Sequence, residues 1–210
     1  MSRFFFPFSF FLRRFLPALG IAAAVFSLVY GVYLPFRKSS AYINAIRNLQ
    51  TAKSLTEVIA GYDRAFKIPS PVGGEELAKF ASYDVLNMIS NPRQPEEVSR
   101  ELVRYIEQYA FHNNVRHLLA IAQLHATLWQ RFQKDEDYVT AERYYRDAYA
   151  IGPKLPPVLF GLLNLYGAHG DTAKAEEIGN EIVRYWPTAT DVGNALLKAR
   201  EAPSSATTTL

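Results

Sequence analysis

An uninterrupted apolar run near the N-terminus constrains this chain more than any other feature. The twenty-two residues from Phe15 to Phe36 include no charged side chain. At 1.5 Å per residue, a helix of that length extends about 33 Å, which matches the hydrocarbon thickness of a bilayer. The run therefore predicts one transmembrane helix. Basic residues flank it at both ends: Arg13, Arg14, Arg37 and Lys38.

The residues before this run leave two interpretations. Residues 1–14 hold three arginines and no acid, which also suits the start of a signal peptide. Against cleavage, Ala22–Ala24 are followed by further apolar residues, whereas a cleavage site normally closes the apolar region. We predict an uncleaved anchor, and a soluble secreted chain beginning after Ala24 is the alternative. Pro7 and Pro17 argue against one continuous helix here, so the first dozen residues are expected in the membrane interface.

The charge distribution separates this basic, aromatic N-terminal segment from the remainder of the chain. The formal net charge is +3, with 23 Lys and Arg against 20 Asp and Glu. Arg3, Arg13 and Arg14 account for the excess, so the chain from Arg37 onward is formally neutral. Nucleic-acid binding requires clustered cations that displace counterions. We therefore expect no nucleic-acid partner.

The orientation of the predicted span depends on the basic residues at its two ends. A short basic N-terminus ahead of a first span usually stays cytoplasmic. The sequence thus predicts a single-pass membrane protein whose C-terminal domain is extracytoplasmic. The opposite orientation stays open, because the positive-inside rule weighs two equal sets against each other: Arg3, Arg13 and Arg14 against Arg37, Lys38 and Arg47.

Beyond the span, apolar side chains recur at the three-to-four residue spacing that is typical of amphipathic helices. Proline- and glycine-rich joints separate these segments, and no sustained apolar–polar alternation indicates a sheet. The sequence therefore predicts an all-α fold, in which short joints favour antiparallel neighbours. The predicted helices are Ser40–Gln50, Leu55–Lys67, Glu75–Ile89, Glu96–His112, Arg116–Gln133, Tyr138–Ile151, Pro157–His169, Thr172–Trp186 and Asp191–Ala199.

The second half of the chain repeats itself at an offset of 34 residues. At this offset Ala141 aligns with Ala175, and Pro153 aligns with Pro187. The period and these residues resemble the tetratricopeptide repeat (TPR). The resemblance implies two TPR-like repeats over residues 122–189, an antiparallel helix-hairpin solenoid and a role in protein binding.

The remainder of the C-terminal part departs from this period. Trp129 and Leu163 stand where the repeat prefers small residues. Residues 39–121 are expected to form an irregular helical repeat region, because a weaker copy there is out of register. Residues 190–201 are expected to form a capping helix. Residues 202–210 have too little apolar surface to pack and are expected to be disordered.

A second, shorter resemblance lies within Asn44–Leu77. It is similar to the helical tail that follows the last membrane span of O-antigen ligase-like bacterial membrane proteins. It implies an accessory or truncated relative in envelope polysaccharide assembly, without the catalytic membrane core. The residues that carry the likeness are Tyr62, Ala65, Phe66, Glu75 and Glu76.

The chain lacks the common sequence motifs of catalysis and metal binding. It has no cysteine, and no glycine-rich phosphate loop or nucleophile elbow is present. His117 and His125 can share a helix face, but no acid occupies the intervening ligand spacing. Asp135–Asp137 is expected to be a solvated loop. We therefore predict a protein that is not an enzyme and binds neither a cofactor nor a metal.

The repeat register predicts one binding face on the first helices of the two repeats. Uncharged amides there flank an aromatic ring and can clamp an extended peptide, because each amide both donates and accepts hydrogen bonds. The alternative is an ordinary solvated helix face. The leading hypothesis is a membrane-anchored scaffold that holds a partner protein or peptide near the membrane. The predicted partner-binding residues are Gln123, Gln130, Gln133, Lys134, Phe160 and Asn164.

Overall fold

A computed structural model describes residues 8–49 and 51–201 of the chain. Within these ranges the regular elements are helices and no strand occurs, which confirms the predicted all-α class. Residues 1–7 and the predicted disordered tail lie outside the described residues. The helices are α1 (Phe8–Leu28), α2 (Leu34–Leu49), α3 (Leu55–Phe66), α4 (Gly74–Ile89), α5 (Glu96–Glu107), α6 (Val115–Phe132), α7 (Asp135–Ile151), α8 (Pro156–His169), α9 (Thr172–Tyr185) and α10 (Thr190–Glu201), with a π-helical segment at Val29–Tyr33.

The N-terminal helices form one long helical path. α1, the π-helical segment and α2 follow one another from Phe8 to Leu49 without an intervening turn. Large apolar side chains along it are exposed, among them Leu19 at 67% and Phe26 at 60%. Among the described residues, this is the one helix that is long and apolar enough to span a membrane.

Two sequence predictions for this region are wrong. Pro17 lies inside α1 instead of interrupting it, and membrane helices are known to tolerate proline in this way. The helical path also continues past Phe36, since α2 follows the π-helical segment directly. Residues 40–49 of the separately predicted helix Ser40–Gln50 are thus the last part of the same path, and Pro7 and Gln50 lie outside the described residues.

The described residues form two compact units that divide between Leu77 and Ala78. In the first unit, α2 and α3 pack as an antiparallel pair. The two helices approach closely at Gly61, where an added Cβ would lie 3.4 Å from the Ala45 Cβ. At the other end of the pair, the Lys38 Nζ donates a hydrogen bond to the Ile68 carbonyl at 3.2 Å.

The second unit contains two helix pairs, α6–α7 and α8–α9. α5 packs on α6, α7 contacts α8, and α10 packs on α9. Ala141 and Ala148 of α7 are fully buried, and such small side chains permit helices to approach closely. Large apolar side chains fill the remaining interior, including Leu124, Leu128, Leu159, Leu162, Tyr166 and Ile178.

Arg131 of α6 fixes the connection between α4 and α5. Its guanidinium donates to the carbonyl of Ile89, the last residue of α4, and to the carbonyls of Pro92 at 3.2 Å and Gln94 at 2.8 Å. The last carbonyls of a helix have no partner within the helix. Arg131 supplies one, and it also holds the proline-rich connection against the second unit.

The predicted solvated loop at Asp135–Asp137 is instead the first turn of α7. Negative side chains at a helix N-terminus complement the positive end of the helix dipole. Asp137 is also buried, with only 3% of its surface exposed. A carboxylate at such a depth requires a partner, and the partner comes from α5.

Candidate functional site

α6 and α8 lie side by side and run in the same direction. At their C-terminal ends, the rings of Trp129 and His169 are 5.6 Å apart between centroids. At the opposite end, Val115 begins α6 and lies beside Gly152, where an added Cβ would be 3.7 Å from the Val115 Cγ2. The first helices of the two pairs therefore form a joint surface, called here the α6–α8 face.

Four of the six predicted binding residues lie on these two helices, and the structure shows no hydrogen bond from their side chains to another element among the described residues. Gln123 and Gln130 are exposed on α6, and their seven-residue spacing places them on one side of it. Asn164 is exposed on α8, and Phe160 is half-buried one turn earlier. The structure thus brings an amide pair and an aromatic–amide pair onto neighbouring helices.

The other two predicted residues have partners within the chain. Gln133 ends α6 in the left-handed conformation, with a φ of 54°. Its Nε2 donates to the carbonyls of Trp129 at 3.2 Å and Gln130 at 3.0 Å. The Lys134 Nζ lies 2.7 Å from the Glu96 Oε1. Gln133 therefore serves as a helix cap, and Lys134 connects the α6–α7 turn to α5.

A bidentate ion pair between Arg100 and Asp137 joins α5 to α7. The Arg100 Nη1 and Nη2 donate to the two carboxylate oxygens at 3.0 and 2.7 Å. The Arg100 Nε also donates to the Glu96 Oε1 at 2.7 Å. Asp137 raises the pKa of the Arg100 guanidinium despite the opposing effect of burial. Lys134 and Arg100 lower the pKa of Glu96 by hydrogen bonding to its carboxylate.

His125 of α6 lies between two carboxylates. Its Nδ1 is 3.7 Å from the Asp137 Oδ1, and its Nε2 is 3.6 Å from the Glu107 Oε2. Its ring stacks on Tyr144 at 6.0 Å between centroids, and the Tyr144 hydroxyl donates to the Glu107 Oε1 at 2.5 Å. His125 lowers the pKa of Glu107, burial opposes this, and Tyr144 adds to the lowering. Burial and Glu107 together raise the pKa of Tyr144 to about 12.

These contacts form one α5–α7 polar network. Its ion pairs and hydrogen bonds connect α5 to the α6–α7 pair, and the His125 ring lies between two of its carboxylates. Within the described ranges, no three His, Asp or Glu side chains are arranged to hold a metal ion. The network consists of Glu96, Arg100, Glu107, His125, Lys134, Asp137 and Tyr144.

An aromatic cluster lies where α6 and α8 end. The rings of Tyr138 and His169 are stacked, with centroids 3.7 Å apart and planes inclined by 12°. The Trp129 ring packs on the same tyrosine at 5.4 Å. Trp129 departs from the small residue expected at its repeat position, and the structure explains this departure: its side chain fills the space beside these two rings.

Sequence reasoning missed both members of the Arg100–Asp137 pair. The two residues are 37 positions apart, so no local pattern connects them. The interpretation of Asp135–Asp137 as a loop also concealed the burial of Asp137. The position of the three acids could have indicated that they belong to the helix. Acids directly before a segment with helical apolar spacing are typical of a helix first turn.

Comparison with known proteins gives no match: no protein-family model, no curated protein and no solved structure matches the chain. The resemblances to the tetratricopeptide repeat and to O-antigen ligase-like proteins stay predictions that rest on the residues quoted for them.

Proposed function

We propose that this protein is a non-catalytic, membrane-anchored scaffold with TPR-like helix pairs, which binds an extended segment of a partner protein on the α6–α8 face. The observation that carries the proposal is that two adjoining parallel helices carry exposed Gln123, Gln130 and Asn164 and half-buried Phe160. Side-chain amides can pair with the backbone N–H and C=O groups of an extended peptide. The aromatic ring offers apolar area for a side chain of that peptide.

The second helices of the two pairs support the repeat-like arrangement. The Tyr149 hydroxyl of α7 donates to the Glu181 Oε2 of α9 at 3.0 Å. The Lys174 Nζ of α9 donates to the Glu142 Oε1 of α7 at 2.9 Å. Both pairs are 32 residues apart, so α7 and α9 run in the same direction, as successive repeat units do. These bonds connect the second helix of one pair to the second helix of the next.

The long N-terminal helix supports the membrane part of the proposal. Its apolar side chains over Phe15–Phe36 are mostly exposed. This part of the helix is also long enough to cross a bilayer. In water such a surface would be costly, whereas lipid would cover it. We place the C-terminal domain on the extracytoplasmic side, where the scaffold would hold its partner close to the membrane.

The test is a pull-down of the full-length chain from detergent-solubilised membranes, followed by identification of the bound proteins. The variant carries Gln130→Ala together with Phe160→Ala, which removes one amide from α6 and the aromatic ring from α8. We expect a specific partner of the unmodified chain to be lost. The helical circular dichroism signal and thermal midpoint of the variant must match those of the unmodified chain.

The matched control carries Val139→Ala together with Glu177→Ala. Both residues are exposed and lie on α7 and α9, the second helices of the two pairs. The control should retain the partner. If the Gln130 and Phe160 variant retained every partner, the α6–α8 face would not be the binding site. If both double variants lost the partner equally, binding would not be specific to this face.

A further inference from the structure

The connection between α3 and α4 folds back to the membrane end of α2. Lys38 lies two residues beyond Phe36, the last residue of the apolar run, and Ile68 lies two residues beyond the end of α3. The Lys38 Nζ donates to the Ile68 carbonyl at 3.2 Å, and Lys38 is only 8% exposed. Since α2 rises about 1.5 Å per residue, the Lys38 backbone lies about 3 Å beyond the end of the span, and its side-chain hydrogen bond holds the α3–α4 connection near this end of α2.

This connection has an unusual composition for an exposed loop. The sequence Ile-Pro-Ser-Pro-Val-Gly-Gly over residues 68–74 contains no charged residue. Pro69 and Pro71 are exposed, and Val72 exposes 58% of its surface. Surface loops are normally rich in polar side chains, so an uncharged apolar tip at this level is suited to contact with lipid.

The backbone of the loop is also prepared for partial removal from water. The Ser70 hydroxyl donates to the Val72 carbonyl at 2.7 Å and accepts from the Val72 N–H at 3.4 Å. Lys38 satisfies the carbonyl of Ile68, and the two prolines have no N–H group. An unsatisfied backbone group is what makes a loop costly near lipid. In this loop, the groups with a partner are the N–H groups of Ile68 and Val72 and the carbonyls of Ile68, Val72 and Gly73.

We propose that the α3–α4 connection, residues 68–73, is a second membrane contact that rests on the headgroup region of the bilayer spanned by Phe15–Phe36. The proposal rests on the proposed membrane anchor. The loop contact would prevent the α2–α3 pair from tilting freely about the span. Arg37, the neighbour of Lys38, agrees with this placement of the loop at the headgroups. Its side chain is exposed and available to lipid phosphates, and its guanidinium lies 5.6 Å from the centroid of the Tyr33 ring.

The chain has no cysteine, so single labels can be introduced without background. We would label Val72→Cys in the full-length chain with a bimane fluorophore, in vesicles of phosphatidylcholine and phosphatidylglycerol. A fraction of the phosphatidylcholine carries a nitroxide near the headgroup, which quenches fluorophores at that depth. The matched control is Thr51→Cys, an exposed site in the α2–α3 connection, which lies about 16 Å farther along α2. Phe26→Cys, in the middle of the apolar run, reports on the anchor.

We expect the Val72 label to be quenched by the nitroxide lipid at least threefold more strongly than the Thr51 label. Aqueous iodide should give the opposite order. If the labels at positions 72 and 51 were quenched equally while the label at position 26 stayed shielded from iodide, the loop contact would be overturned and the anchor would stand. A Phe26 label that iodide reaches freely would overturn both the anchor and the loop contact.

Discussion

Gly161 of α8 lies directly against the ring of Tyr145 of α7. A Cβ added at Gly161 would be 2.3 Å from the Tyr145 Cε1 and 2.9 Å from its Cζ. The tyrosine is buried, with 5% of its surface exposed, so a shift of its ring would disturb the residues that pack around it. The absence of a side chain at position 161 is therefore what permits α8, one half of the proposed binding face, to approach α7.

The first prediction follows from this contact. Gly161→Ala should lower the free energy of unfolding by about 1–3 kcal/mol, because an extra carbon in a filled space forces its neighbours apart. Gly167→Ala is the control in the same helix, since an added Cβ there has nothing within 4 Å. It should raise stability by about 0.5–1 kcal/mol, as alanine favours helix over glycine. Denaturant titration of each full-length variant in detergent, monitored by circular dichroism, measures the change in the free energy of unfolding. If both variants changed it in the same direction, the close packing of Gly161 on Tyr145 would be contradicted.

Most helices beyond the apolar run could be predicted from the sequence, because their signals are local, although the predicted Glu96–His112 extends five residues past the end of α5. The predicted Thr172–Trp186 agrees with α9 to within one residue, since Asp171 caps its start through its side chain. The contacts between helices could not be predicted. The repeat pattern predicted a small residue at position 163, where the chain has a leucine. The small residue that packs against Tyr145 is instead Gly161. Such pairings depend on the rotation of one helix against another, which no local spacing specifies.

The second prediction concerns the α5–α7 polar network. Arg100→Ala should lower the free energy of unfolding by about 3 kcal/mol, because it leaves the buried Asp137 carboxylate without its bidentate partner. Arg100→Lys should recover only part of this loss, since an ammonium group cannot reproduce the planar two-point contact.

Arg104→Ala is the control on the same helix. Its partner Glu101 is 43% exposed and the arginine side chain is 72% exposed, so we expect a change of no more than about 0.5 kcal/mol. Denaturant titrations of the three variants decide the matter. A loss on Arg104→Ala as large as that on Arg100→Ala would contradict a special role for the network.

The third prediction is a pH dependence that arises from Glu107. His125 and Tyr144 lower the pKa of this carboxyl in the folded chain, although burial opposes them. A carboxyl with a lowered pKa stabilises the fold fully above its unfolded pKa, and this contribution is lost as the pH falls through the folded pKa. The advantage of the unmodified chain over Glu107→Gln should therefore shrink as the pH falls below 4.5, the ordinary value for glutamate.

Unfolding titrations between pH 7 and pH 3 measure this difference. Tyr144 stays neutral over the whole range because its pKa is about 12, so its hydroxyl remains a donor throughout. Glu101→Gln, at an exposed site on the same helix, serves as the control. An advantage over Glu107→Gln that grew towards acid pH would have the wrong sign and would reject the proposed electrostatic role.

The last prediction concerns the orientation of the membrane helix. A short N-terminal segment with three arginines is a strong cytoplasmic determinant, whereas a long domain crosses the membrane largely regardless of its own charges. The domain beyond Arg37 is formally neutral, so its net charge does not oppose translocation. Protease added to intact spheroplasts should therefore digest Ser39–Leu210 and leave a small membrane-bound fragment that contains Phe15–Phe36. Lysed spheroplasts provide the control for access. Full protection before lysis, followed by digestion after it, would place the α6–α8 face and its partner in the cytoplasm.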